Sequence, residues 1–253
     1  MNHSFANISN WEHALEHPDW YLHLESEIRE FFLDDNKNSR NLDWLSHRRA
    51  IINRVAEALQ SKQISLGEDG PDWDDERVTI DTAVIHHTSL EPTAPIVEIE
   101  ALGLLRLYAS HFLRRDQSCF GRPLWSGHFR NNFQTFVGYH FLIWQDGRTE
   151  RLLEDKHIGW HAGNWSVNCR SIAISFHDSL ENKAPTNNAL TSACRLLSSY
   201  KLRTVMPHFE TNPRTICPGR KYYGEVGWGQ LILDHLGIQS DGNKKYENRF
   251  DSL

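Results

Sequence analysis

Apolar positions in the first quarter of the chain recur at helical spacing. In "WYLHLESEIREFF" Tyr21, Leu24, Ile28 and Phe31 line one face, and in "LDWLSHRRAIINRVAEALQSK" Leu45, Ile52, Val55, Ala56 and Leu59 form a second stripe. The polar run "DDNKNSRN" (34–41) reads as the turn between these two helices. "GEDGPDWDDE" (67–76) is acidic, aperiodic and rich in Gly and Pro, so it reads as a linker. After it the pattern changes. "RVTIDTAVIHHT" is short and β-branched, a buried strand, while "PIVEIEALGLLRLYASHFLRR" (95–115) predicts a long helix with proline tolerated in its first turn. "FVGYHFLIWQDGRTERLLE" predicts two strands joined at Asp146-Gly147, and "SIAISFHD" (171–178) a further strand. "NNALTSACRLLSSYKL" (187–202) predicts a helix capped by Asn, and "EVGWGQLILDHLG" (225–237) a last helix that Gly237 stops. Strands interleaved with helices predict an α/β layered fold. The expected organisation is a helical extension and linker over 1–75, an α/β domain over 76–240 and a polar tail over 241–253.

At 253 residues the chain can bury one substantial core plus a small appendage. A net charge of −6 argues against a general nucleic-acid binder, although an anionic substrate in a local basic pocket stays open. The apolar runs are too short to span a bilayer. The start, "MNHSFANISNWEHALEHPDW", has neither a basic nor an apolar leader region, which predicts cytoplasmic synthesis. Cys119, Cys169, Cys194 and Cys217 follow no disulfide-scaffold spacing, which fits reduced thiols. Fifteen histidines are many for this length, and histidine is the commonest metal ligand and proton carrier.

"VIHHT" puts His86 and His87 at the end of a strand, where neighbours point to opposite faces, so one of the pair can face a given site. "MPHFETNPRTICPG" (206–219) holds His208 and Cys217 in a loop stiffened by prolines. Cys217 there could be a small core side chain, half of a disulfide, or a thiolate ligand to a metal. Taken with His86 and His208 it makes a three-ligand set that suits zinc and leaves a fourth position for water. Zinc so held lowers the pKa of its water to about 7 and polarises a carbonyl, the chemistry of hydrolysis. Spacing alone does not single out these three residues among so many histidines.

Four stretches in order, "VIHHT" (84–88), "VGYHFLIWQDG" (137–147), "GWHAGNWSVNCRSIAISF" (159–176) and "HFETNPRTICPG" (208–219), resemble the zinc-dependent N-acetylmuramoyl-L-alanine amidases. That family includes phage lysozyme-type amidases and peptidoglycan recognition proteins, and the resemblance spans roughly residues 77–237. It implies a central mixed β-sheet flanked by helices. It also implies a Zn2+ held by His86, His208 and Cys217, and hydrolysis of the amide between N-acetylmuramic acid and L-alanine in peptidoglycan or muropeptides. Tyr139 matches the family's active-site tyrosine, a donor to the developing oxyanion. Thr215 matches a position held by lysine or threonine. A glutamate used by some relatives is replaced here by Ser175. His161 in "WHAG" matches a histidine of the substrate groove, implying a substrate contact or a position behind the metal.

Trp160 and Trp165 are candidates to stack on a sugar ring, and Arg214 and Arg220 to meet a peptide carboxylate. His87 and His140 are expected to be structural. "RRDQSCFGRPLWSGHFRNN" (114–132) is longer than compact relatives need and is expected to border the groove. Two other functions stay open: a module that binds peptidoglycan without cutting it, and a zinc hydrolase of another amide, since fold does not set substrate. Reaching the wall would require lysis or a delivery apparatus.

Overall fold

A computed structural model describes residues 8–17, 20–33, 42–68, 70, 72–109, 125–130, 132–224 and 227–239. The turn expected at 34–41, the tail beyond 239, Cys119 and most of the 114–132 segment lie outside the described residues. The chain divides into two compact units, Met1–Asp72 with Pro95–Val137, and Trp73–Ala94 with Gly138–Leu253.

The first unit is built from α1 (Ile8–Ala14), α2 (Trp20–His23), α3 (Glu25–Leu33), α4 (Leu42–Gln60) and α5 (Ile96–Leu107). The expected stripe positions Leu24, Ile28, Phe31, Ile52, Val55 and Ala56 are buried. Ile51 and Ala58 widen the buried face of α4, which packs against α5, whose Ile99, Ala101, Leu102, Leu104 and Leu105 are buried. Trp20 and Tyr108, both fully buried, meet with ring centroids 5.8 Å apart. A short antiparallel ribbon pairs Phe129–Arg130 with Phe133–Gln134.

The second unit is an α/β layer structure. Its five strands are β1 (Thr82–His87), β2 (Phe141–Ile143), β3 (Thr149–Arg151), β4 (Ser171–Phe176) and β5 (Thr204–Pro207), in the sheet order β3-β2-β4-β1-β5. β2 and β3 are antiparallel across the Asp146-Gly147 turn and the other pairings are parallel, so the sheet is mixed, as the resemblance implied. β1 and β4 are buried at every position, the signature of strands covered on both faces. On one face Ala83, Ile85, Phe141, Ile143, Ile172, Ile174 and Phe176 pack against α7 (Asn187–Leu197) and α9 (Trp228–Leu236). Each large apolar side chain buried there contributes about 1.5–3 kcal/mol. On the other face Val84 packs with Ala162, Val167 and Met206.

Three local features depart from the expected pattern. The α7 cap falls on Thr186, whose side chain accepts from the Ala189 N–H, one residue before the expected Asn. That helix ends at Leu197 and passes into the turn residues Ser198–Tyr200, short of the expected 202. Strand β5 is an added edge; Pro207, which has no N–H to give a ladder, sits at its end. α9 stops where expected, with Gly237 left-handed at φ 65°.

Phe176 is fully buried and meets Trp228 edge-on at 5.4 Å. Phe176→Ala is therefore expected to lower the unfolding free energy by about 3–5 kcal/mol in urea titration, and a loss below about 1 kcal/mol would contradict this packing.

Candidate metal centre

The site starts from strand alternation. His86 follows Val84 onto the face of the sheet away from α7 and α9, while His87 turns to the opposite side. There the His87 Nδ1 accepts from the Leu180 N–H at 2.8 Å, and Nε2 lies 2.9 Å from Ser89 Oγ. Parallel pairing then supplies the second histidine. Ile85 of β1 is registered with Pro207 of β5, and the next residue along each strand is a histidine, His86 and His208. Their ring centroids are 4.5 Å apart.

The loop from His208 carries the chain back to the same point. His208 opens the short helix α8 (His208–Thr211), and an Asn212 side chain accepts from the Arg214 N–H. The Phe209 N–H then donates to the Cys217 carbonyl at 2.9 Å, tying the two ends of the loop together. Gly219, at φ 134°, passes so close to Leu180 that a Cβ would stand 2.0 Å from its carbonyl oxygen. Only glycine fits there, which explains the Gly of the Cys-Pro-Gly run.

The Cys217 Sγ accepts from the His87 backbone N–H at 3.4 Å and lies 3.8 Å from His86 Nδ1. One ligand atom each from His86, His208 and Cys217 lie within 4.8 Å of one another. A tetrahedral zinc with its usual bond lengths separates a nitrogen from a sulfur by about 3.6 Å, so the donor set fits that ion. His86 and Cys217 are buried whereas His208 is partly exposed, so the cluster keeps a solvent-facing side.

Around these atoms, the Tyr139 ring is 5.1 Å from the His86 ring and is 8% exposed. His86 Nε2 lies 3.0 Å from His161 Nδ1, and His161 Nε2 lies 3.1 Å from Ser171 Oγ. Burial first, and then the neighbouring His140, His208 and Arg77, hold the His161 imidazole well below its ordinary pKa, so it is neutral at pH 7. Cys169 and Cys194 are free and buried, and burial raises their thiols' pKa values, which keeps them unreactive.

With this geometry in view, the N-acetylmuramoyl-L-alanine amidase family model (Amidase_2) matches residues 76–220, more than half of the chain. The chain belongs to that family. Solved structures similar to it include the amidase LysC from Clostridium intestinale URNW, at 19% identity and a TM-score of 0.46 over 65% of this chain and 89% of that one. Drosophila peptidoglycan recognition protein SD aligns at 23% identity and TM-score 0.42, over 70% of this chain and 92% of that one. Human PGRP-IBETAC in complex with glycosamyl muramyl pentapeptide aligns at 19% identity and TM-score 0.39, over 64% and 87%. None of the curated proteins matches the chain. Among the described residues no helix is long and apolar enough to cross a membrane.

The remaining expected site residues of this amidase-family chain are distributed as follows. Thr215 is half-buried, and its Oγ1 accepts from the Cys217 N–H at 3.1 Å. Arg214 is exposed on the loop between His208 and Cys217. Trp160 is 36% exposed, its ring 5.1 Å from Trp165, which in turn lies 6.0 Å from Trp73, itself 38% exposed. His161 is buried and engages both ring nitrogens inside the protein. His140 is also internal: Nδ1 accepts from the Ala173 N–H, and Nε2 meets the His157 carbonyl. Ser175 is registered directly opposite His86 and is fully buried, and its hydroxyl has no hydrogen-bond partner among the described residues.

Three participants escaped the sequence reading: Ser171 beneath His161, Asn168, and Trp73. Asn168 Oδ1 accepts from the His161 and Ala162 N–H groups at 3.3 and 2.9 Å. Its helix α6 (Trp165–Arg170) is announced by Asn164, a cap that accepts from the Val167 N–H, and that cap was the readable signal.

Gly219→Ala is expected to cost about 2–3 kcal/mol of stability, from the left-handed backbone and the clash with Leu180. Thermal melting checks this, and an unchanged midpoint would contradict the role given to the Cys217 turn.

Proposed function

We propose that this chain is a zinc-dependent amidase that hydrolyses the amide bond between N-acetylmuramic acid and L-alanine in peptidoglycan or muropeptides. Its catalytic domain is residues 76–240. The observation that carries the reading is the convergence of one donor atom each from His86, His208 and Cys217 within 4.8 Å, beside the Tyr139 ring. His86, His208 and Cys217 would hold the ion. Zinc bound there supplies a water acidified to a pKa of about 7 and a Lewis acid for the carbonyl.

The chain's own residues do the rest. The Cys217 sulfur is held in place by the His87 N–H that donates to it. Tyr139 is held against His86 and has a phenol to donate to the oxyanion as the amide carbonyl becomes tetrahedral. Thr215 uses an oxygen lone pair on the Cys217 N–H, so its own hydroxyl proton remains to be given to the same oxyanion. Trp160 offers an aromatic edge to a sugar ring, and Arg214 an exposed guanidinium to a stem-peptide carboxylate. Recognition without cleavage is the weaker reading, because a pure binder has no use for a thiolate and two imidazoles gathered at one point. The family match supports amidase chemistry or peptidoglycan recognition; the donor set tips the choice toward cleavage.

Two outcomes are expected. Chelation should abolish release of L-alanine-led peptides from muropeptides, read by mass analysis, and zinc should restore it; cleavage that survives full metal removal would reject the reading. Tyr139→Phe should lower kcat by about 10²–10³ with little change in KM, as loss of an oxyanion donor does. An unaltered kcat would remove Tyr139 from the chemistry.

A further inference from the structure

We propose that His161 is a positioning residue that fixes the tautomer of His86, so that His86 offers Nδ1 to the metal. The inference rests on the zinc reading above and deepens it. It comes from the order of contacts through two imidazoles. His86 Nδ1 faces the Cys217 sulfur at 3.8 Å, while its Nε2 faces His161 Nδ1 at 3.0 Å. A neutral imidazole carries one proton. If Nδ1 is to give its lone pair to a metal, the proton must sit on Nε2, and His161 Nδ1 is then its acceptor.

That acceptor is itself fixed. With Nδ1 accepting, the proton of neutral His161 lies on Nε2 and donates to Ser171 Oγ at 3.1 Å. The His161 and Ala162 backbone N–H groups both donate to Asn168 Oδ1, which anchors the loop. Ser171 is registered with Thr82 at the start of β1, on the strand that also carries Ser175. The chain of donors thus runs from His86 through His161 to a sheet residue, and once His86 gives Nδ1 to a metal each member has one orientation that satisfies it. A neutral imidazole does here what a carboxylate does behind many metal-bound histidines: it fixes the ring without adding negative charge. The burial of His161, at 6% exposed, leaves it little surface for a substrate and suits this internal task.

The test uses the full chain and zinc itself, with affinity read by competition against a chromophoric chelator. His161→Phe should weaken zinc binding by about 10- to 100-fold, the usual loss when the partner of a ligand is removed. His161→Gln keeps an acceptor for His86 and a donor for Ser171, and should recover most of that affinity. Melting of the metal-free variants separates folding from binding. Zinc affinity unchanged in His161→Phe would overturn the inference, as would a Gln variant no better than Phe.

Imidazole nitrogen NMR of the wild-type chain gives a readout that needs no variant. His86 protonated on Nε2 is expected, and protonation on Nδ1 would overturn the assignment. A wild-type chain that takes up no zinc would instead reject the proposed function. Normal zinc uptake with an indifferent His161 would reject this inference alone.

Discussion

The architecture around the site depends on one register: β1 and β5 run parallel with Ile85 opposite Pro207. That pairing puts the two next residues, His86 and His208, side by side at the carboxyl ends of adjacent strands, the usual place for a ligand in an open α/β sheet. Slipping either strand by one residue would send its histidine to the other face. The apolar packing of Ala83 and Ile85 against α7 and α9 holds β1 in register, so the hydrophobic core and the candidate metal site are set by the same strand.

Cys217 reaches the histidines by a different route. It is held by backbone geometry: the Phe209–Cys217 hydrogen bond, the Thr215 hydroxyl on the Cys217 N–H, and the unavoidable glycine at 219. The sulfur then takes the His87 N–H. In this way His87, which cannot reach the site with its side chain, still contributes through its main chain. The surroundings are otherwise close to neutral. His161 is uncharged, and the residue registered opposite His86 is the neutral Ser175. Two imidazoles and a thiolate would leave a bound zinc with a net positive charge, which favours an electrophilic ion over a strongly basic site.

Much of this was legible in the sequence, for physical reasons that can be named. The strands 82–87 and 171–176 and the helices 187–197 and 228–236 carry strong periodic or β-branched patterns. Strand 204–207 is four residues long and ends in proline, too little for a pattern to register. The helix 165–170 was hidden because it is short and its cap lies inside a motif read for chemistry. The three candidate ligands could not be selected from spacing, since the sheet brings together residues as far apart as His86 and Cys217. The resemblance carried by four ordered motifs pointed to them, and the family model matches residues 76–220, which contain all three. The His161–Ser171 contact had no sequence signal, because it depends on which residues β4 turns toward one loop.

The central claim is that two imidazole nitrogens and one sulfur grip a single ion. X-ray absorption at the zinc edge of the loaded chain tests it most directly, because the two kinds of scatterer differ in distance. The account predicts one zinc per chain with a single sulfur at about 2.3 Å and the remaining ligands nitrogen or oxygen at about 2.0–2.1 Å. A zinc environment without sulfur, or with several sulfurs, would contradict it.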